Sequence, residues 1–209
     1  MKNLSAILGI SCLLAASAVA GDGKNPIEPV TAPTPFDRGA WELEGGAGYF
    51  GSFSTTSAKR PTINYQIETL RLGWMYDSPR HSGFFRGNNE FLLEAFAGPV
   101  TKGPGNYLAG GSVLWRYNFV QPDARWVPYF QLGAGMLDND IWTGKEQREV
   151  GEGFEFVLQG DVGLRYMIND KWAATIEGGY RHISNADISS RNNGLNSLGG
   201  IAEISYFFH

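Results

Sequence analysis

The sequence predicts an all-β protein, an eight-stranded antiparallel up-and-down barrel that crosses a membrane. Three observations lead to this prediction. The chain of 209 residues is rich in glycine, with 28, and in aromatic residues, at 13%. Apolar and polar residues alternate along eight runs, as they do on the two faces of a strand. No run beyond the N-terminal segment is long and apolar enough for a spanning helix, so membrane residence would have to be through strands.

The N-terminal segment predicts export. A positive charge at Lys2 precedes an apolar run over residues 4–19 that ends in Ala18-Val19-Ala20, the three parts of a secretory signal with cleavage after Ala20. The single cysteine, Cys12, lies inside this signal of residues 1–20, which predicts a mature chain with neither a disulfide nor a Cys-ligated metal. Residues 21–38 contain four prolines and few apolar residues and predict a flexible leader. The folded domain is expected over residues 39–209.

Each predicted strand covers the roughly 9 to 11 residues that a tilted membrane strand needs. The eight strands are expected near residues 40–53, 63–76, 87–100, 106–120, 126–137, 154–168, 172–184 and 196–208. Connections after the odd-numbered strands are variable and in places long, as at 138–153 and 185–195, whereas Asn169-Asp170-Lys171 predicts a tight turn after the sixth strand. Alternating loop lengths are typical of outer-membrane barrels, which have short periplasmic turns.

The alternation also predicts what fills the barrel. Eight strands enclose a lumen that side chains can fill. Charged residues of mixed sign on one face of the sixth to eighth strands are therefore predicted to form an internal network: Glu155, Asp161, Arg165, Glu177, Arg181 and Glu203. The second strand is less regular, because Gln66 and Glu68 share the parity of Leu70, and a β-bulge is one explanation.

Alternation alone leaves two barrels open. A soluble lipocalin-like carrier has the same period with its apolar face inward, and Gly39-Ala40-Trp41 matches the short G-x-W of that class. The aromatic terminal strand with Tyr206-Phe207-Phe208 and the aromatic residues near strand ends favour the membrane barrel. The net charge of −4 without basic clusters argues against nucleic acid as a partner.

The candidate site lies near the C-terminus, in Tyr180-Arg181-His182-Ile183-Ser184-Asn185-Ala186 and Asn192-Asn193-Gly194-Leu195-Asn196. His182 and Ser184 project from the same side of a strand, as a general base and its nucleophile must. The face they share is the apolar one. An enzyme whose substrate lies in a lipid layer would place its site there.

These two segments resemble the C-terminal signature of the lipid A 3-O-deacylase family, PagL-like acyloxyacyl hydrolases that are eight-stranded outer-membrane barrels. The resemblance implies a deacylase that hydrolyses an ester-linked acyl chain, the 3-O chain, of lipid A in lipopolysaccharide. It makes Ser184 the nucleophile and His182 the base, with Asn185 and nearby backbone N–H groups stabilising the oxyanion. It implies no cofactor and no metal. With both termini in the periplasm, the seventh strand would run outward and bring the site to the outer leaflet, where lipid A resides.

The sequence departs from the family at one position. The family pattern has a glutamate twelve residues beyond the serine, where this chain has Asn196. Strand parity places Asn196 within reach of His182, and its carbonyl can fix the imidazole tautomer, but it carries no charge to stabilise imidazolium. Three alternatives follow: a slower Ser-His-Asn enzyme, a substitute acid such as Asp187, or a barrel without catalysis. We favour the first.

The sequence also allows a second hypothesis, a barrel without enzymatic activity. A small outer-membrane barrel can strengthen the envelope or mediate adhesion through its loops, and residues 138–145 place Trp142 in one of the longer connections. A tryptophan there either binds a partner or anchors at the headgroups. The sequence does not predict an oligomeric state.

Overall fold

Charged side chains line the inside of the barrel and apolar side chains cover its outside in the computed structural model of this protein, which describes residues 34–54 and 61–209. The predicted signal segment and most of the predicted leader lie outside these residues. No helix long and apolar enough to cross a membrane occurs in the part of the chain that the structure describes.

Eight antiparallel strands form a closed barrel in which each strand pairs with the next and the last pairs with the first. The strands are β1 (Trp41–Phe53), β2 (Asn64–Met75), β3 (Asn88–Lys102), β4 (Tyr107–Asn118), β5 (Trp126–Asn139), β6 (Phe154–Met167), β7 (Trp172–Ser184) and β8 (Leu195–Phe208). The predicted fold class is confirmed. The predicted strand bounds differ from the observed bounds by no more than two residues, so the alternation of apolar and polar residues predicts the strand lengths well.

The barrel has two unlike ends. At the loop end lie residues 54 and 61–63 and the connections 103–106, 140–153 and 185–194. At the terminal end lie residues 34–40, His209 and the connections 76–87, 119–125 and 168–171. The expected alternation of loop length fails at the connection 103–106, which is shorter than the connections 76–87 and 119–125 at the other end. The connection 76–87 is anchored by a two-way backbone pairing of Arg80 with Gly87 and by Asp77, whose carboxylate accepts the Asn89 N–H at 2.7 Å.

Four buried arginines, on β2, β4, β6 and β7, organise the middle of the lumen. The guanidinium of Arg71 lies 2.7–3.0 Å from carboxylate oxygens of four glutamates. These glutamates are Glu44, Glu94, Glu177 and Glu203. Arg165 binds Glu42 at 2.7 Å, and Arg181 lies 3.4 Å from Glu94. The predicted internal network is confirmed except for Glu155, which faces inward but accepts the N–H groups of Gly151 and Glu152 instead. The ion pairs fill the lumen, and loss of either partner would leave a buried charge uncompensated.

Apolar layers close the lumen above and below this network. The layer at the loop end consists of Phe50, Ile63, Tyr65, Ile67, Phe96, Leu108, Leu137, Ile141, Val150, Val157, Ile183, Leu195 and Ile201. The layer at the terminal end consists of Phe36, Ala40, Met75, Val120, Val127, Met167, Ala173 and Phe207. The interior is thus a packed core and not a channel.

Phe36 shows that the packed domain includes residues assigned to the leader. Residues 34–38 form turns at the terminal end. The Phe36 side chain is buried, its ring lies 5.7 Å from that of Phe207, and its carbonyl accepts a hydrogen bond from Asn88 Nδ2 at 2.9 Å. This segment closes the barrel from below.

The outer surface decides between the two barrels that the sequence left open. Large apolar side chains point outward around the barrel, among them Leu70, Val162, Ile176 and Leu198, each more than half exposed. A lipocalin-like carrier would bury such residues in its cavity. A continuous apolar outer face around a charged interior is instead the arrangement of a barrel embedded in lipid.

The irregular pattern of β2 does not come from a bulge at Gln66 and Glu68. Both side chains lie on the outward face, and the pairing of β1 with β2 runs through them without a shift. The one register shift of β2, against β3, falls between Asn64 and Tyr65. The bulge explanation is therefore wrong for these two positions, which are polar residues on the outer surface.

Candidate active site

His182 and Asn196 face each other across β7 and β8. The strand register pairs them directly, and Nδ1 of the imidazole lies 2.8 Å from Oδ1 of the carboxamide. Both side chains are on the outward face, as their parity predicts, but Asn196 is only 7% exposed. The structure therefore brings His182, the candidate base, together with the residue at the family's glutamate position.

Tyr180, on β7 like His182, also binds the Asn196 side chain. Its hydroxyl donates to the same Asn196 Oδ1, at 2.5 Å. A carboxamide oxygen only accepts, so Nδ1 of His182 carries its proton and Nε2 is left as the basic nitrogen. Fixing this tautomer is the task of the third residue in a Ser-His-acid triad.

Gly194 lies against the Cε1 edge of the His182 imidazole. Its φ is +75°, a left-handed conformation that favours glycine, and a Cβ at this position would lie 2.5 Å from Cε1 of His182. No other residue type fits between the loop and the ring. Glycine suits this position of the Asn-Gly-Leu-Asn segment because it lets the chain entering β8 pass close to the Cε1 edge of the His182 ring.

Ser184 ends β7 on the same face as His182, opposite Phe156 of β6. Its side chain is half-buried. Within the described residues no hydrogen bond joins Ser184 to the His182 ring. Such bonds are often long in enzymes without substrate and tighten when it binds.

The structure corrects the role expected for the Asn185 side chain. Asn185 is fully buried and points into the barrel, where Nδ2 donates to Glu155 Oε1 at 3.4 Å and to the Arg191 carbonyl at 3.3 Å. Its backbone N–H is taken by Asn192 Oδ1 at 2.9 Å. The pleat continues one residue past β7, so Asn185 has the opposite parity to Ser184 and its side chain cannot reach an oxyanion at the serine.

Asn192 occupies the outer side of this turn instead. Its Oδ1 accepts the N–H of the residue after Ser184, and its Nδ2 donates to Asp187 Oδ1 at 2.9 Å. The turn is tight, since Ala186 and Asp187 both have positive φ and Ile188 N–H returns to the Asn185 carbonyl at 3.1 Å. Asn192 belongs to the signature segment, but no role for it follows from the sequence. Only the folded turn shows that its amide lies beside the Ser184–Asn185 junction.

The connection after β5 is hydrogen-bonded to the connection after β7, which contains Arg191. The guanidinium of Arg191 donates to four backbone carbonyls in the first connection, at 2.7–3.4 Å. Those carbonyls belong to Trp142, Gly144, Gln147 and Gly151. Backbone bonds from Asn193 to Arg148 and from Gly194 to Glu149, at 2.9 and 3.1 Å, continue the contact. The segment that holds Gly194 against His182 is thus fixed from outside.

Asp140 fastens a third connection to this pair. Its carboxylate accepts the backbone N–H groups of Asn106 and Tyr107 and the Asn106 side-chain amide, at 2.6–3.0 Å. Burial acts to raise the pKa of Asp140, but these hydrogen bonds outweigh it and hold the pKa below its ordinary value. The carboxylate is therefore charged at neutral pH and joins the loops as a strong acceptor. Trp142 of the same loop is partly exposed, with Lys145 Nζ 5.0 Å from its ring centroid.

An apolar groove leads away from the site along the outer surface of β6 and β7. Near the site it is lined by Tyr180 and Leu198, and further along by Gly160, Val162 and Gly178. It continues past Gly178 between Leu164 and Ile176. Glycines on the outward face form the floor of the groove, and larger apolar side chains form its walls. The groove has the shape and polarity for a linear hydrocarbon chain.

The sequence matches the family model for lipid A 3-O-deacylase (PagL) over residues 63–205. The matched region runs from the start of β2 into β8 and includes every candidate site residue. The chain belongs to the lipid A 3-O-deacylase (PagL) family.

Solved structures share the fold of this family member. It is similar to the outer membrane enzyme PagL, at 16% identity and a TM-score of 0.53, over 76% of this chain and 97% of that one. It is also similar to Neisserial surface protein A, at 12% identity and a TM-score of 0.52, over 81% of this chain and 98% of that one. No curated protein sequence matches the chain. Its described residues contain no cluster of three or more His, Cys, Asp or Glu side chains placed to hold a metal ion.

Proposed function

We propose that this protein is an outer-membrane hydrolase that removes an ester-linked acyl chain, the 3-O chain, from lipid A. Family membership supports the substrate class and the ester hydrolysis. The observation that carries the chemistry is the contact of His182 Nδ1 with Asn196 Oδ1 at 2.8 Å, on the lipid-facing side of the barrel. A base with a fixed tautomer on that side suits a substrate that stays in the membrane.

Ser184 is the proposed nucleophile. His182 Nε2 takes the proton of Ser184 Oγ as Oγ attacks the ester carbonyl carbon, and the carbonyl π electrons move to oxygen to give a tetrahedral oxyanion. The oxyanion collapses, the bond to the sugar oxygen breaks, and the imidazolium returns its proton to that oxygen. A water then repeats the sequence on the acyl-serine and releases the fatty acid.

Asn192 replaces Asn185 as the candidate for stabilising the oxyanion. Its amide is the side-chain donor next to the Ser184–Asn185 junction, and it is oriented by two hydrogen bonds of 2.9 Å, to the Asn185 N–H and to Asp187. A preoriented donor of this kind is worth about 100- to 1,000-fold in kcat. The donated hydrogen bond would pass from Asp187 to the developing oxyanion.

The groove along β6 and β7 is the proposed seat of the scissile acyl chain. It starts beside Tyr180, two residues before the base, and runs toward the middle of the barrel. With the loop end at the cell surface, a chain in this groove would follow the direction of the lipid tails. The ester at its head would then lie at the level of Ser184, in the outer leaflet.

The function is tested by fatty-acid release from purified lipopolysaccharide in detergent. We expect wild-type protein to release one fatty acid per lipid A, and Ser184→Ala to release none while remaining folded as a barrel. Equal release by both proteins would overturn the role of Ser184. No release by either, over several acylation patterns, would favour the structural or adhesive barrel.

A further inference from the structure

We infer that Glu149 is a positioning residue that supplies the negative charge for His182 that Asn196 lacks. The inference rests on the proposed function, since it concerns how the same base works. It assigns a role to a residue outside the signature segments, in the connection between β5 and β6.

Glu149 is held next to the base by the backbone. It is buried, at 3% exposure, although it lies in a loop. Its carbonyl accepts the Gly194 N–H at 3.1 Å, and Gly194 is the residue that lies against the Cε1 edge of the His182 imidazole. One residue therefore separates the backbone of Glu149 from the ring. A carboxylate is seldom buried without a reason in its surroundings.

Glu149 and Asn196 also line one small cavity. Its walls come from Glu149, Gly194, Leu195 and Asn196 on one side and from residues 52–54, Pro61 and Thr62 on the other. The cavity measures about 70 Å³, which is enough for an ordered water that bridges polar groups. Glu149 thus borders the same small cavity as Asn196, the residue whose carboxamide contacts His182.

This arrangement divides the work of a triad acid between two residues. Asn196 fixes the tautomer through Nδ1 but has no charge to offset the imidazolium that forms during the reaction. A carboxylate on a residue that borders the same small cavity as Asn196 provides that offset, because the interaction of two charges is stronger in a partly dry site than in water. Glu149 acts through the Asn196 side chain and the cavity, without touching the substrate.

Glu149 Oε2 accepts the backbone N–H of its neighbour Arg148 at 3.0 Å, and two other acids lie near the site. Asp187 is exposed and accepts the amide of Asn192. Glu155 faces the barrel interior and accepts the backbone N–H groups of Gly151 and Glu152, at 2.9 and 3.0 Å. Of these three carboxylates, that of Glu149 belongs to a residue that borders the same cavity as Asn196.

The test compares Glu149→Gln with Glu146→Gln, which removes an exposed carboxylate from the same loop. We expect Glu149→Gln to lower kcat about tenfold with KM changed less than twofold, because the charge is lost while Asn196 still orients the base. Glu146→Gln should match wild type. In the Asn196→Glu background, where the charge is supplied directly, Glu149→Gln should change kcat less than twofold.

The last comparison excludes a merely structural role, since a loop defect would lower activity in both backgrounds. If Glu149→Gln does not fold, Glu149→Asp and Glu149→Asn give a pair equal in size but different in charge, and we expect the Asp variant to be about tenfold faster. The inference would be overturned if Glu149→Gln were as fast as Glu146→Gln, or if Glu149→Asp and Glu149→Asn had equal rates. Equal losses of activity from Glu149→Gln in the wild-type and Asn196→Glu backgrounds would also overturn it. An inactive wild type would instead overturn the proposed function.

Discussion

Nδ1 of His182 lies 2.8 Å from Oδ1 of Asn196, at directly paired positions of β7 and β8. A neutral amide stands here where the family pattern has a carboxylate. The geometry of orientation is therefore kept while the charge is changed. Variants at position 196 can therefore measure separately what orientation of the imidazole and what a negative charge contribute to the rate.

Removing the carboxamide should cost more than replacing it by an acid. Asn196→Ala leaves Nδ1 without its acceptor, and we expect kcat to fall at least about 100-fold, since a misplaced tautomer is costly in triads. Asn196→Glu keeps an acceptor and adds the charge, so kcat should be equal to or above wild type. Steady-state kinetics on lipopolysaccharide measure both. An Asn196→Ala enzyme as fast as wild type would show that this contact does not orient the base.

Gly194→Ala should disable the base without unfolding the barrel. The new Cβ would lie 2.5 Å from the imidazole, so the ring or the loop must move. Gly83→Ala is the matched control, because Gly83 also has a positive φ, of +62°, but no atom lies within 4 Å of its Cβ position. Both variants carry backbone strain of about 1–2 kcal/mol. We expect a large loss of kcat in the first alone, and equal activity of the two would contradict the contact with His182.

Much of this site follows from strand parity. The two-residue period predicts that His182, Ser184 and Asn196 share a face and that Asn196 reaches the base, and the register of β7 and β8 places them so. The period cannot tell which face meets lipid. The folded structure identifies the lipid-facing side, because arginines of four strands form ion pairs with glutamates of other strands inside the barrel.

Contacts between loops lie beyond such reasoning. The proximity of Glu149 to Gly194 depends on how two connections fold against each other, and the bond from the Asn185 N–H to Asn192 Oδ1 depends on how one connection folds on itself. Neither connection has a periodic sequence pattern. Asn185 was misjudged because adjacency to the serine in sequence suggests adjacency in the site, whereas the pleat turns its side chain inward. Phe36 was missed because a proline-rich context hides a single buried aromatic residue.

Asn192 can be tested with a variant that keeps its structural bond. Asn192→Asp retains an oxygen for the Asn185 N–H but has no N–H to donate to an oxyanion. We expect kcat to fall about 100- to 1,000-fold, with KM nearly unchanged. Asn192→Ala should lose as much activity and also loosen the loop, which limited proteolysis would reveal. Full activity of Asn192→Asp would exclude Asn192 as the oxyanion donor.

The groove predicts a substitution that acts on the acyl chain and not on the chemistry. The nearest atom to a Cβ at Gly178 is 3.9 Å away, so Gly178→Leu adds a side chain that fills the groove without an internal clash. We expect a higher KM for long acyl chains and a smaller change for short ones. Gly45→Leu, on β1 with the same 3.9 Å clearance, is the control. The same effect from both substitutions would argue against a chain in this groove.

The central claim is that Ser184 attacks the 3-O ester of lipid A. Mass spectrometry of lipid A after incubation with the purified, refolded protein tests it most directly, beside a Ser184→Ala sample. We predict that wild-type protein removes one hydroxyacyl chain, that fragmentation assigns the loss to the 3-O position, and that the variant leaves the lipid intact. Intact lipid A in both samples, or the same loss in both, would contradict the account.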